Sequence, residues 1–289
     1  GFFTAQGLTV ELKPGGFDDA GVYIDPVDQV MNGNADFGIT GAHVILTSRA
    51  EGKPLVAVAA IYQRTPVVLF SLPESNINRP EDLVGKRVGT QPDGSAIGIM
   101  FRALLASKNL TMDQIVATTG IDFNSPDPLL NGEVDVMQGF LTNQAVQARL
   151  RDPEVKIMLL SDYGIDFYSN VLFTTEQMIQ EQPAMVQGMV QAMVDGLNST
   201  VADPDAAAAY ALEKYITNGA DEQVRQVQIE GILTAIPLIN PPNSRPGMMS
   251  ADVWAHALDV LVSQNLIGAT QDFNSAFTLD FVNQAYAGS

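Results

Sequence analysis

The chain of 289 residues contains no cysteine. That removes disulfides, thiolate metal sites and cysteine nucleophiles, and it leaves the redox compartment open. Aromatic residues are few, at 7 %, and there is a single tryptophan. Positive charge is scarce too: 15 Lys and Arg stand against 33 Asp and Glu, a formal charge of −18. Such a surface repels phosphate backbones and anionic membranes, which argues against nucleic acid and anionic membrane surfaces as partners; solubility is the ordinary use of such charge. No apolar run approaches the roughly 20 residues of a membrane-spanning helix. No secretory leader is visible, and the opening on Gly1-Phe2-Phe3 without a Met reads as a mature or trimmed chain.

What is present is apolar and ordered. Hydrophobic residues make up 46 % and charged ones 17 %, in a chain long enough for two lobes with separate cores. One phrase occurs twice. Asn32-Gly33-Asn34-Ala35-Asp36 runs into an apolar stretch and Thr40-Gly41, and Asn131-Gly132-Glu133-Val134-Asp135 runs into another and Gly139-Phe140, 99 residues later. Each copy reads as a helix ending on Asn-Gly, a short buried strand and a new helix start. Two such units suggest two similar α/β lobes holding a ligand between them.

Along the chain, Leu8–Leu12 alternates as a strand, a short helix runs to Met31, and Ala35–Ile39 is the next strand. Pro54–Ala60 and Pro66–Leu72 are near-continuous apolar strands, the mark of a sheet covered on both faces. Lys86–Thr90, Ile115–Thr119, Val134–Gln138, Val155–Leu160 and Tyr168–Phe173 are further strands, and Ser95 opens an amphipathic helix to Ser107. Thr40 and Thr142 are positioned to cap helices through about Ala50 and Leu150. From Thr175 the pattern becomes helical: Pro183–Thr200, Pro204–Ile216, Asp221–Ala235 and Ser250–Leu266 are all amphipathic.

These segments, in this order, resemble the type II periplasmic substrate-binding proteins of ABC importers, in the branch related to thiamine-pyrimidine biosynthesis proteins. The carrying motifs are Gly1–Leu8 (GFFTAQGL), Gly33–Gly38 (GNADFG), Val56–Pro66, Arg79–Gly89 and Asp162–Thr174. The resemblance implies an α/β, two-lobed fold with a hinge and a helical C-terminal tail. Lobe I would comprise residues 1–71 and 169–289, the tail included, and lobe II residues 72–168, with crossings near Ser71–Pro73 and Asp166–Ser169. It also implies a monomer outside the cytoplasmic membrane, periplasmic or lipid-anchored, that no cofactor assists and that importer membrane subunits recognise. Family members carry a strand and a helix start before Gly-Phe-Phe that contribute to the pocket; this chain begins after them.

Ligands of α/β sheets bind outside the carboxyl ends of the strands. The candidate binding residues are therefore Thr40, Gly41, Tyr62, Gln63, Gly94, Ser95, Phe140, Asn143, Tyr168 and Asn170. Thr40, Ser95 and Thr142 are equally readable as plain helix caps. Tyr62, Phe140, Tyr163, Phe167 and Tyr168 are available to stack on a flat ring, with core filling behind the loops as the alternative for Phe140 and Phe167. Trp254 reads as core, His43 as a surface helical histidine, and Arg64 as the partner of a local carboxylate. The acids Asp18, Asp19, Asp25 and Asp28 lack calcium-loop spacing.

Asn170 discriminates. Aminopyrimidine binders of the family are expected to place an acid where Tyr168-Ser169-Asn170-Val171 aligns. An asparagine offers donor and acceptor together, which suits an imide edge such as the pyrimidine-dione of riboflavin. A backbone bond at the hinge is its alternative role. The expected function is capture of a flat, vitamin-like heterocycle, riboflavin ahead of a thiamine-precursor pyrimidine. The rival, a pyrimidine-synthase-like enzyme, is disfavoured because the resembling eukaryotic synthases use a cysteine-rich motif. A sensory module would need a fused output domain.

Overall fold

Strands and helices alternate through the first 175 residues, and the chain sorts them into two compact units. The first comprises Gly1–Gln63, Phe167–Ala202 and Ile239–Ser289, the second Arg64–Asp166 and Asp203–Leu238. The computed structural model describes residues 1–13, 15–17, 23–214, 222–268 and 273–287. Asp18 and Asp19 lie outside the described residues, as do the expected helix ends at Tyr215–Ile216 and Asp221.

In the first unit, α1 (Phe2–Ala5) is followed by the two-residue strands β1 (Gly16–Phe17) and β2 (Tyr23–Ile24), α2 (Pro26–Met31), β3 (Gly38–Thr40), α3 (Ala42–Ala50) and β4 (Leu55–Ala60). The second unit carries β5 (Val67–Ser71), β6 (Arg87–Gly89), α4 (Ala96–Ser107), β7 (Val116–Thr118), α5 (Asp127–Leu130), β8 (Val136–Phe140), α6 (Gln144–Arg151) and β9 (Lys156–Leu159). The chain returns to the first unit with β10 (Val171–Thr175), α7 (Glu176–Glu181) and α8 (Pro183–Ala202). It then adds α9 (Pro204–Lys214) and α10 (Glu222–Ile239) to the second, and α11 (Ala251–Ser263) and α12 (Asp280–Ala287) to the first.

The repeated Asn-Gly phrase is one turn built twice. Gly33 and Gly132 take the left-handed conformation, at φ +71° and +72°, while Asn32 and Asn131 before them stay right-handed. In the first copy Gly33 N–H donates to Val30 O and Asn34 N–H to Gln29 O; in the second Gly132 donates to Leu129 O and Glu133 to Pro128 O. These are the two bonds of a Schellman ending, which satisfy carbonyls that the helix itself leaves unpaired. Each turn then aims the chain into a strand, β3 in one unit and β8 in the other.

The first sheet has the order β3-β10-β4, with β10 antiparallel to both neighbours. All six residues of β4 are buried. Its outer edge is closed by the C-terminal segment, where Thr278 N–H donates to Ala57 O and Ala60 N–H to Gly247 O. Val58 and Ala59 pack with Leu172, with Val186, Val190 and Val194 of α8, and with Val282 and Ala285 of α12. The second sheet has the order β7-β6-β8-β5-β9, parallel from β7 to β8 and antiparallel at β5. Val68, Phe70 and Met137 form its core against Leu129 of α5 and Ala145 and Ala148 of α6.

Four expectations are corrected. Leu8–Leu12 is not a strand; Leu8 lies instead beside Gly188 of α8. Val67–Ser71 belongs to the second unit because it is hydrogen-bonded to β8 and β9, so the chain crosses at Gln63–Arg64 rather than near Ser71–Pro73. The helical tail is divided rather than packed wholly on the first unit. α10 lies close enough to the loop after β8 that a Cβ on Gly231 would stand 2.7 Å from the Thr142 carbonyl oxygen. Thr40 and Thr142 are not caps: Gly41 and Asn143 occupy those positions, neither with a side-chain capping bond. Ser95 caps α4 as expected, accepting from Gly98 N–H.

Candidate functional site

Because β10 runs against β3 and β4, its first residue lies beside their last ones: Val171 is in register with both Thr40 and Ala60. Ala42 N–H donates to Tyr168 O at 2.8 Å and Ile61 N–H to Asn170 O at 2.9 Å. Thr40, Gly41, Tyr62, Gln63, Tyr168 and Asn170 are thereby gathered at one end of the first sheet. Their chemistry differs. The Gln63 amide is fully committed, donating to Ile239 O at 2.7 Å and Arg245 O at 2.8 Å while its Oε1 accepts from the Ser244 hydroxyl. Tyr168 is buried, its ring 6.0 Å from that of Trp254, and its hydroxyl accepts from Ser250 N–H. Asn170 is half-buried, and its side-chain amide bonds to nothing among the described residues.

His43 is not a surface residue in its chemistry. Its Nδ1 is sealed from solvent without a hydrogen-bond partner among the described residues, and burial lowers its pKa from 6.5 to about 4. The ring folds over Gly41, where a Cβ would meet its Nδ1 and Cε1 at 2.6 Å. Glycine is therefore the residue that fits the entrance of α3, and the imidazole is held neutral at pH 7. Phe167 and Trp254 are buried completely, as core. Arg64 pairs with Asp162 at 2.8 Å, the local carboxylate expected for it.

A cavity of about 540 Å³ opens in the same unit between Gln63, Tyr168 and the segment Pro241–Val253. Met248, Met249 and Val253 give it an apolar wall, and Asn243, Arg245 and Ser250 its polar rim. The Arg245 guanidinium stacks 4.3 Å from the Tyr286 ring. Only Gln63 and Tyr168 of this lining were marked by the sequence; the remainder comes from the segment connecting α10 to α11 and from Val253 in the first turn of α11, with no strand-end signature.

In the second unit β6, β8 and β9 all end at the side where β5 begins, with Phe140 opposite Val67 and Leu159 opposite Val68. Gly94, Ser95, Phe140 and Asn143 are therefore brought to one end of the second sheet. The Ser95 hydroxyl is used twice, accepting from Gly98 N–H and donating to Pro92 O at 2.8 Å. Asn143 is exposed, and its Oδ1 accepts from Gln147. Between these loops lies a residue the sequence reading passed over. Gln138, on β8 and 1 % exposed, accepts from Gln91 N–H at 2.8 Å through Oε1, while its Nε2 has no partner among the described residues. A buried donor left unmade costs about 1–3 kcal/mol. The available signal was a lone amide inside the apolar strand Val134–Gln138.

A family model described as NMT1/THI5 like matches residues 1–207. The chain belongs to the NMT1/THI5-like family. It is 26 % identical over 251 residues to the riboflavin-binding protein RibY of Chloroflexus aurantiacus, covering 85 % of this chain and 70 % of that one. It is 27 % identical over 186 residues to the 4-amino-5-hydroxymethyl-2-methylpyrimidine phosphate synthase of Legionella pneumophila, covering 63 % of this chain and 58 % of the synthase. Among solved structures, a periplasmic sulfonate-binding protein from Methylobacillus flagellatus superimposes with a TM-score of 0.70 at 16 % identity, over 99 % of this chain and 84 % of that one. The fold of this NMT1/THI5-like protein is thus that of the periplasmic binding proteins, as its sequence motifs implied. Among its described residues no helix is long and apolar enough to cross a membrane, and no cluster of His, Asp and Glu is arranged to hold a metal ion.

Proposed function

We propose that this NMT1/THI5-like protein is an extracytoplasmic solute-binding protein of an ABC importer, handing a flat, vitamin-like heterocycle to the importer's membrane subunits, with riboflavin as the favoured ligand. The observation that carries the reading is Asn170. Its uncommitted amide stands half-buried at the end of the first sheet, beside Thr40, Gly41 and Tyr62. One carboxamide presents a donor and an acceptor side by side, the complement of an imide edge in which carbonyl and N–H alternate. The similarity to a protein named for riboflavin binding supports the same chemistry.

An aminopyrimidine is the second reading, favoured by the similarity to a pyrimidine phosphate synthase. That similarity also raises an enzyme, but the chain has no cysteine with which to build the motif of the resembling eukaryotic synthases. A binding role needs only the strand-end loops.

The test is titration of the purified protein with riboflavin, read as quenching of flavin fluorescence. Asn170→Ala should raise Kd by about 5- to 150-fold, the equivalent of about 1–3 kcal/mol for a lost buried hydrogen-bond pair. Absence of quenching by the unmodified protein overturns riboflavin as ligand; unchanged affinity in the variant removes Asn170 from the site.

A further inference from the structure

Arg245, in the first unit, is an arginine without a carboxylate. Every other arginine except Arg149 has an acidic oxygen within 4.0 Å among the described residues, and Arg149 donates to the Val155 carbonyl. In a chain of 33 acids and 15 bases, this is not for want of acids. Asp195, the carboxylate whose field reaches Tyr286, accepts from Gln191 instead. The guanidinium is nonetheless held in place. It lies over the Tyr286 ring, 4.3 Å from the centroid, and the Tyr286 hydroxyl donates to Pro246 O at 2.7 Å. An arginine stacked by its face keeps the N–H groups along its edge for an oxyanion. The backbone beneath is equally set: Arg245 O accepts from the Gln63 amide at 2.8 Å and from Met248 N–H at 3.2 Å, and Gly247 O accepts from Ala60 N–H at 2.9 Å.

This residue stands on the rim of the cavity of about 540 Å³, every lining residue of which belongs to the first unit. The volume lies within the roughly 300–1,000 Å³ of small-molecule pockets, far more than a single inorganic anion fills. Met248, Met249 and Val253 form the apolar wall, and thioether side chains adapt well to a flat ring. No Asp or Glu is part of the lining. Helix α11 also begins at this wall, with Ser250 as its cap and Val253 in its first turn, so the positive end of a 13-residue helix adds to the same field. Asp252, in that turn, is exposed and outside the lining. The space therefore combines an apolar body with a cationic rim, and the rim is fixed before anything binds.

We propose that this cavity is a binding site for a small organic anion, its flat apolar body against Met248, Met249 and Val253 and its carboxylate or phosphate held by Arg245. The site is independent of the heterocycle reading, since Asn170 and Thr40 are not among the lining residues. The formal charge of −18 repels anions over most of the surface, so capture here comes from the local groups. A guanidinium already ordered by stacking loses little freedom on pairing with an oxyanion. A neutral body of the same shape meets the wall but leaves the rim unused, and a cationic one is repelled by it.

Titration calorimetry at about 0.15 M salt, where long-range charge is screened, compares four probes that share one ring system. They are 2-naphthoate, 2-naphthyl phosphate, the neutral 2-naphthylmethanol and the cationic 2-naphthylmethylammonium. At least one anion should bind about tenfold or more tightly than the alcohol, the tighter anion naming the head group, and the ammonium should bind weakest. Arg245→Gln should raise the Kd of that anion about tenfold or more and leave that of the alcohol unchanged, because only charge-assisted bonds are lost. Val253→Phe narrows the cavity without touching its charge, and should weaken anion and alcohol alike. Thermal unfolding without ligand establishes that each variant is folded; if Arg245→Gln is not, the ranking of the probes and Val253→Phe still decide. The indole N–H signal of Trp254, the one tryptophan and the neighbour of Val253, should shift on addition of the anion. Equal affinity for anions and alcohol, or anion affinity unchanged in folded Arg245→Gln or Val253→Phe, overturns the site. Failure of both anions to bind overturns it too, and leaves the riboflavin titration as a separate test of the heterocycle reading.

Discussion

Lowering the pH from 7 to 5 should weaken the first unit through one side chain, His43. Its folded pKa is about 4, depressed from 6.5 because burial disfavours the imidazolium and Nδ1 has no partner among the described residues to offset it. The unfolded chain therefore binds a proton on this residue through a window in which the folded protein does not. Stability is complete above pH 6.5 and declines as the pH falls from there toward 4. A depression of this size corresponds to roughly 3 kcal/mol when the window is fully crossed, and to roughly 2 kcal/mol between pH 7 and pH 5. The single tryptophan, Trp254, lies in the same unit as His43, on α11, so its fluorescence reports the relevant transition. Urea unfolding followed by that signal at the two pH values, for the unmodified protein and for His43→Gln, isolates the effect. The unmodified protein should lose roughly 2 kcal/mol more than the variant. Asp135, Asp127, Asp82 and Asp113 have lowered pKa values, so their proton uptake falls below the pH 5 limit of the comparison. Parallel pH dependence in the two proteins would refute the reasoning, since it would mean that the imidazole is protonated in place at little cost.

Two further substitutions probe the turns that position the candidate loops. Gly98→Ala would place a Cβ 2.2 Å from the Pro92 carbonyl oxygen, a backbone atom that cannot swing aside. It should destabilise the second unit by about 1–3 kcal/mol, seen as a lower urea midpoint by circular dichroism; an unchanged midpoint would show that the Pro92–Gly94 turn yields freely. Gly33→Ala and Gly132→Ala should each cost about 1 kcal/mol, because both positions hold a left-handed backbone and neither has any neighbour for the new methyl to strike. Equal costs measured by urea unfolding would confirm that the two phrases are one structural device, and a loss at only one of them would refute that equivalence.

Local chemistry made much of this protein legible. The two Schellman turns follow from Asn-Gly after a short helix, since only glycine takes the left-handed position without penalty. Apolar runs at Leu55–Ala60 and Val67–Ser71 announced buried strands, and Ser95 its own cap. The gathering of Thr40, Tyr62 and Asn170 at one sheet end, and of Ser95 and Phe140 at another, followed from strand ends alone, because every strand of an α/β unit delivers its loop to an edge.

What the sequence could not express was pairing at a distance. Alternation at Leu8–Leu12 promised a strand, but a strand needs a partner edge, and α8 is what lies alongside. Amphipathic helices carry no address, so the allotment of α9 and α10 to the second unit was settled by packing. The same holds at the site. His43 has the sequence context of a surface helical residue, and only the fold of its ring over Gly41 seals Nδ1 and keeps it neutral. Gln138, Gln144 and Gln63 are chemically identical in the sequence. Tertiary structure alone decided that two of them are saturated and that one keeps a buried donor without a partner among the described residues, because hydrogen-bond satisfaction depends on what the rest of the chain brings within about 3 Å.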